Sequence, residues 1–409
     1  MERYGNIKGG KVIGVGSYGC VFHPPLPCKK GKQPTDDMVS KLMDTNDANK
    51  EMSEINKITN RLREIPDARR YFGGFDTYIC EAESISPSDV RDYDCQLSNV
   101  THLTNDARLS SELPNLSILQ QKDLGKTVND YLLLDINDKK DLHLFLGNMV
   151  NLLFKGVLPM NEVGAYHLDI KSDNVLVREH CPVLIDWGLC YLTDDNKPVT
   201  NAETRGKRYN PEVTNVPMKA YCMFNEPLVA RAFYETADTE GGNLDPHGLS
   251  SMHTSRTVLN ILYHNEWDQD HIKHLIREIV NPVIEIMVQH YAYRHERYPY
   301  SSGKSMVTQY LSRQRDLYLI NGYVDHDKLY ADFFYNVDIW GWVMAFTPLL
   351  RSNVSGTRGK LSSIMDDDER RKIRLMAAKC IEYLFVCETR RYDIGVLVAY
   401  IEDVITGLE

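Results

Sequence analysis

The stretch His167-Leu168-Asp169-Ile170-Lys171-Ser172-Asp173-Asn174, followed by Asp186-Trp187-Gly188, assembles residue types able to move a phosphoryl group. Such a transfer asks little covalent help of a protein. It needs the attacking hydroxyl oriented, the triphosphate charge neutralised and metal ions held. Asp169 can take the hydroxyl's proton or its hydrogen bond. Asn174, across a tight turn, can offer an amide oxygen to Mg²⁺, and Asp186 a carboxylate to the same metals. Hard oxygen ligands of this kind suit Mg²⁺. Lys171 can reach the γ-phosphate and stabilise charge in the transition state. Either half of the pattern arises by chance; the two in order, between a helix and a two-stranded unit, are hard to obtain by accident.

A second group lies upstream. Gly14-Val15-Gly16-Ser17-Tyr18-Gly19-Cys20-Val21 fits GxGxxGxV. Glycines let the backbone approach phosphates and present N–H groups to them. A dinucleotide-binding turn looks alike, but here a strand and a Pro-rich loop follow where that motif needs a helix. Lys41 sits inside the apolar run MVSKLM. A lysine in such a strand usually faces solvent; after a glycine loop it reads as a phosphate clamp. Its partner should be a glutamate on the next helix. Glu51 precedes Ile55 and Ile58 on one helical stripe and is the choice, with Glu54 as the alternative.

The elements that must position these groups are legible in outline. Residues 11–22 read as strand, turn, strand; 38–43 as a strand; 46–63 as a helix with Ile55, Ile58 and Leu62 on one face; 116–121 as a strand. Residues 139–157 carry Leu142, Phe145, Leu146, Met149, Val150 and Leu153 at helical spacing. Residues 174–177 and 182–186 read as two short strands around a turn. Residues 86–115 read as mostly loop, and helices are expected near 256–292, at 365–386 and at 393–405.

Composition narrows the class. The chain has 409 residues, 43% apolar and 25% charged, which is ordinary globular usage. A net charge of −10 argues against direct nucleic-acid binding, which needs a basic face, and suits basic protein substrates. The nine cysteines show no CxxC spacing and read as reduced thiols of a cytoplasmic protein. The opening MERYGNIKGGKV has no apolar core and predicts no secretory signal. No stretch reads as the roughly 18 apolar residues of a membrane span.

On these motifs the chain resembles the protein kinase superfamily, from about Lys11 onward. The resemblance implies an α+β, bilobal fold: a small β-rich N-lobe over residues 1–122 and a larger, mainly helical C-lobe over 123–409. The C-lobe would hold an activation segment at 186–227 and a long insertion at 228–335. It implies transfer of the γ-phosphate of MgATP to Ser or Thr of protein substrates. Gly14, Val15, Gly16, Ser17, Tyr18, Gly19, Val21 and Lys41 would surround the nucleotide, with adenine near Gln121, Lys122 and Asp123. Asp169, Lys171, Lys41 and Glu51 would serve catalysis, and Asn174 and Asp186 the metal. Asn336-Val337-Asp338-Ile339-Trp340-Gly341 looks like the start of a central helix whose aspartate anchors the catalytic loop. The Leu-Gly-x-x-Val run at 124–128 is similar to casein kinase I and the vaccinia-related kinases. GSYGCVFHPPLPC, MNEVGAYHLDIKSDNVLV, IDWGLC and FNEPL are similar to kinases encoded by large DNA viruses, which implies the host cytoplasm or the virion.

The chain departs from the family at four places. Leu168 stands where many regulated kinases carry the arginine that receives an activation-loop phosphate, so constitutive activity is expected. Trp187 replaces the usual Phe. Asn225-Glu226-Pro227 stands in for Ala-Pro-Glu. Roughly 110 residues separate Pro227 from Asp338, far beyond an ordinary loop.

Two other readings remain. A small-molecule, aminoglycoside-type phosphotransferase shares HxDxxxxN and a later IDW, but the glycine loop and Lys171 count against it. A pseudokinase scaffold would have lost Lys41, Asp169, Asn174 or Asp186. His271 and His274, near His264, His290 and His295, could ligate Zn²⁺ but read as structural. Asp366 to Glu369 reads as an acidic first helical turn, and KKGK at 29–32 as a solvated loop.

Overall fold

The computed structural model describes residues 10–16, 19–85, 113–199, 273–320, 323–324, 326–351 and 360–407. The chain is α+β and divides into two compact units. Unit 1 comprises Met1–Gly125 with Ile185–Gly188; unit 2 comprises Lys126–Leu184 with Leu189–Glu409. Ser17, Tyr18, Asn225 to Pro227, His264 and His271 lie outside the described residues, as does most of 86–115.

Unit 1 is built on a five-stranded antiparallel sheet. Its strands are β1 (Lys11–Gly16), β2 (Gly19–His23), β3 (Met38–Asp44), β4 (Tyr78–Glu81) and β5 (Leu116–Lys122), in the order β1-β2-β3-β5-β4. Alternation drives the pairing: Cys20, Phe22 and Leu42 join Val12, Leu26, Leu116 and Ile118 in one core. Helix α1 (Thr45–Leu62) starts where the Asp44 side chain accepts from Asn46 N at 2.8 Å. It buries Ala48, Ile55, Ile58, Thr59 and Leu62, the stripe expected from the sequence. A short helix α2 (Ala68–Tyr71) follows.

The reading of all cysteines as reduced thiols is corrected here. Cys28 and Cys80 form a disulfide with Cα atoms 5.7 Å apart, and Cys20 is disulfide-bonded as well. Spacing could not reveal the bond, because the partners stand 52 residues apart. The fold brings them together: the Pro-rich loop after β2 bridges at Cys28 to Ala82, beside β4. With this bond the cysteine argument for a reducing compartment falls.

Unit 2 holds a three-stranded sheet of β6 (Lys126–Thr127), β8 (Val175–Arg178) and β9 (Cys181–Leu184), and a pair formed by β7 (Ala165–Tyr166) and β10 (Tyr191–Leu192). Its helices include α3 (Lys139–Leu152), α4 (Asn281–Tyr293), α5 (Gly303–Tyr318), α6 (His326–Met344), α7 (Asp367–Val386) and α8 (Ile394–Thr406). The acidic run before α7 forms a reciprocal cap: Glu369 N donates to Asp366 Oδ1, and Asp366 N to Glu369 Oε2.

Two helical runs extend beyond their expected bounds. The helical run Lys139–Glu162 has an 18-residue window of mean hydropathy 1.2 and is by length and composition apolar enough to cross a membrane. Leu142, Phe145, Leu146, Met149 and Leu152 of its first part are buried, and it packs against β9 and α8. The helix expected to begin at Asn336 begins at His326, so Asn336 and Asp338 sit within it. Phe333, Phe334, Val337 and Trp340 continue one buried succession across the expected start.

Candidate active site

In unit 1, Lys41 lies on β3 opposite Val21 on β2 and Leu119 on β5. Its Nζ donates to both carboxylate oxygens of Glu51, at 2.8 and 2.7 Å. Both side chains are about three-quarters shielded from solvent. A cation shielded to this degree and bonded to both oxygens of one carboxylate is fixed in position. Glu51 therefore takes the partnership for which Glu54 was the alternative.

The glycine stretch forms the ends of β1 and β2. Gly16 pairs with Gly19, Val15 with Cys20, and Gly14 with Val21. At the end of β5, Gln121 pairs with Val39 and Lys122 with Met38, while Asp123 N donates to Asp37 O at 2.8 Å. The Asp123 N–H is thus engaged within the protein. The neighbouring Gln120, fully buried, was not singled out from the sequence. Its amide accepts from Ser40 Oγ and donates to Leu26 O, both at 2.7 Å, tying the Pro-rich loop to β3 and β5. A glutamine inside an apolar strand was the available signal.

Asp186 also belongs to unit 1. Its backbone has φ of 66°, and its exposed carboxylate accepts from Gly188 N through Oδ1 at 3.3 Å. Trp187 beside it is buried against Phe72, with ring centroids 5.9 Å apart, and its indole N–H donates to Gly73 O at 3.0 Å. The indole's one polar atom thus finds a partner within the buried site.

In unit 2, the loop after β7 gathers Asp169, Lys171 and Asn174. Asp169 Oδ2 accepts from Lys171 Nζ at 2.9 Å and from Asn174 Nδ2 at 2.9 Å. Asn174 Nδ2 also donates to Asp169 O at 2.8 Å, which turns the amide oxygen of Asn174 away from the aspartate. A buried carboxylate gripped by a cation and an amide is fixed in direction and remains charge-balanced.

Asp338 on α6 holds this loop from below. Its Oδ2 accepts from His167 N at 2.9 Å and Asn161 Nδ2 at 2.8 Å, and its Oδ1 from Leu168 N at 2.9 Å. Burial pushes the Asp338 carboxyl above the usual range, against the pull of His167, Asn161 and the two backbone N–H groups. Leu168 has φ of 63° with its side chain buried. Gly341, one turn on from Asp338, lets α6 approach: a Cβ there would lie 2.7 Å from Ile170 Cβ and O.

The remaining candidates fall elsewhere. His274, His290 and His295 belong to no metal cluster among the described residues, where no three His, Cys, Asp or Glu groups converge. In the KKGK loop, Lys29 pairs with Glu81 at 3.2 Å and Lys32 lies over the Tyr78 ring.

No protein-family model matches the chain, and no curated protein matches it.

Proposed function

We propose that the chain is a serine/threonine protein kinase, of the kind encoded by large DNA viruses, that uses MgATP. The observation that carries this reading is the Asp169 carboxylate, held by Lys171 and Asn174 on a loop whose backbone is fastened to the buried Asp338. The Lys41–Glu51 pair is the supporting feature in the other unit.

In this reading Asp169 orients a substrate hydroxyl and takes its proton as the hydroxyl oxygen bonds to the γ-phosphorus and ADP leaves. Lys171, already bonded to Asp169, meets the charge that grows on the transferred group. Lys41, positioned by Glu51, is the cation that would meet the remaining phosphates. Asn174 suits Mg²⁺ because its amide nitrogen is spent on Asp169 and its oxygen is left to ligate. Asp186 suits it through an exposed carboxylate. A divalent ion held by these two oxygens would supply neutralisation of the phosphate charge. A lysine beside the base fits a short aliphatic hydroxyl, hence Ser or Thr.

The test uses the purified chain with MgATP, offered basic proteins in one arm and sugars or aminoglycosides in the other. Phosphate should appear on Ser and Thr of the proteins. Asp169→Asn should lower the rate roughly a hundredfold or more while ATP still raises the melting temperature. Turnover within a few-fold of wild type, or sites that are mainly tyrosine, would overturn the reading.

A further inference from the structure

The Cys28–Cys80 disulfide sits in a polar setting that treats its two sulfurs differently, and backbone donors fix the difference. Leu26 N can only donate, and it donates to Ser40 Oγ at 2.7 Å. The Ser40 hydroxyl hydrogen is then left for Gln120 Oε1, also at 2.7 Å. That contact orients the Gln120 amide. One hydrogen of its nitrogen goes to Leu26 O at 2.7 Å and the other to Cys28 Sγ at 3.7 Å. Ser40, Gln120 and Cys28 are buried, whereas Cys80 is partly open to solvent. A buried donor aimed at one sulfur does little for a neutral disulfide, which accepts weakly, and much more for a thiolate.

Both cysteines are also held by groups other than their bond. Cys28 N donates to Gln33 Oε1 at 3.1 Å, and Cys28 O accepts from Gln33 Nε2 at 2.7 Å. On either side, Lys29 N donates to Glu81 O at 2.9 Å and Glu83 N to Pro27 O at 3.0 Å, framing the Cys28–Ala82 bridge. Cys80 lies in β4, opposite Ile118 of β5. The Cα atoms, 5.7 Å apart, are thus kept at a spacing that permits the bond after it has opened. The turn beyond Cys28 carries Lys29, Lys30 and Lys32, all exposed, of which Lys29 is offset by Glu81 at 3.2 Å. Positive charge beside a cysteine favours its thiolate and draws in anionic thiols.

We propose that Cys28–Cys80 is an exchange site for a small anionic thiol of the glutathione class, with Cys80 the residue attacked and Cys28 the leaving group. The incoming thiolate bonds to Cys80 Sγ as the Cys28–Cys80 bond breaks. The electron pair passes to Cys28 Sγ, where the Gln120 amide meets the new charge; a stabilised thiolate leaves faster. The product is a mixed disulfide on Cys80 beside a Cys28 thiolate, with no net change of oxidation state. The step reverses when that thiolate attacks Cys80 Sγ and expels the small thiol. A second small thiolate that attacks the adduct releases the symmetrical small-molecule disulfide, and two electrons have then passed from the thiols to the protein.

The test incubates the full chain with excess reduced glutathione, quenches with acid, alkylates the free thiols and maps the peptides, with circular dichroism followed alongside. The glutathione adduct should fall on Cys80, with Cys28 alkylated, in about tenfold excess over the reverse arrangement. Gln120→Leu removes the donor from Cys28 and should slow cleavage about tenfold, the effect of losing one hydrogen bond to a charged leaving group. In Cys28→Ser, oxidised glutathione should give a Cys80 adduct that persists, because no thiolate returns to expel it. An adduct mainly on Cys28, cleavage of Gln120→Leu as fast as wild type, or cleavage that only follows loss of the folded signal overturns the assignment. If Gln120→Leu does not fold, the position of the adduct in wild type decides.

Discussion

Replacing Asp338 by alanine removes one carboxylate and strands three donors. Those donors are His167 N, Leu168 N and Asn161 Nδ2, each within 2.9 Å of an Asp338 oxygen, and Asp338 itself is fully buried. A buried donor left without a partner costs about 1–3 kcal/mol. The loss is partly offset because the carboxylate is itself expensive to bury, as its raised pKa records. The net cost should be about 3–5 kcal/mol, the range for breaking a buried charged network by removing one partner. At about 2 °C per kcal/mol for a unit of this size, the melting temperature falls by about 6–10 °C. Asp338→Asn keeps the shape but offers one acceptor where two are used, so about half that loss is expected. The loop that loses its fastening carries Asp169, and a misplacement on the order of 1 Å there costs roughly a hundredfold in rate. Melting curves and initial rates with MgATP, run side by side, read both effects. An alanine variant that melts within about 2 °C of wild type and turns over within about threefold would refute the argument that Asp338 holds the loop.

Three further outcomes are expected. Lys41→Met and Glu51→Gln should each lower kcat roughly a hundredfold, because both break one ion pair; Glu54→Gln should leave the rate within about twofold, and equal losses at Glu51 and Glu54 would count against the pairing seen here. Asp186→Ala should abolish the part of the ATP-induced melting shift that depends on Mg²⁺, and a persisting shift places the metal elsewhere. Burial pushes the Glu382 carboxyl up, outweighing the Tyr298 hydrogen bond and Lys379, so the folded chain keeps a proton that the unfolded chain releases. Stability from that group is full below the ordinary carboxylate value and is lost as pH rises through the raised one. Glu382→Gln keeps an acceptor for Tyr298 and does not ionise; it should raise the melting temperature by about 2 °C or more at pH 7.5 and leave it unchanged at pH 4.5. Equal shifts at the two pH values would show that the carboxyl is not proton-linked to folding.

What the residues reveal by themselves differs along the chain. β1 to α1 is legible because alternation in 11–22 and 38–44 gives way to the Ile55, Ile58, Leu62 stripe, two periods that do not mimic each other. The partners Lys41 and Glu51 follow from that stripe. Asp169, Lys171 and Asn174 are legible as a local pattern. Their support is not, since Asp338 lies 170 residues from Leu168 and only the family resemblance pointed to it. The early start of α6 escapes a reading anchored on Asn336 to Gly341, although Asp325 before His326 is a residue type that favours a helix start. The pairing of β7 with β10 escapes because strands of two residues have no period to read. Gln120 and the Cys28–Cys80 bond escape because both join segments that only the folded sheet makes neighbours.

The Cys28–Cys80 bond makes the chain between its ends a covalent ring, and both β3 and α1 lie inside it, carrying Lys41 and Glu51. Closing a ring of 52 residues removes roughly 4 kcal/mol of chain entropy from the unfolded state. A thiol reductant therefore acts on this unit much as a destabilising substitution would, although it alters no residue of the ion pair. The hold on Lys41 becomes a property of the solvent's oxidising power as well as of temperature and salt.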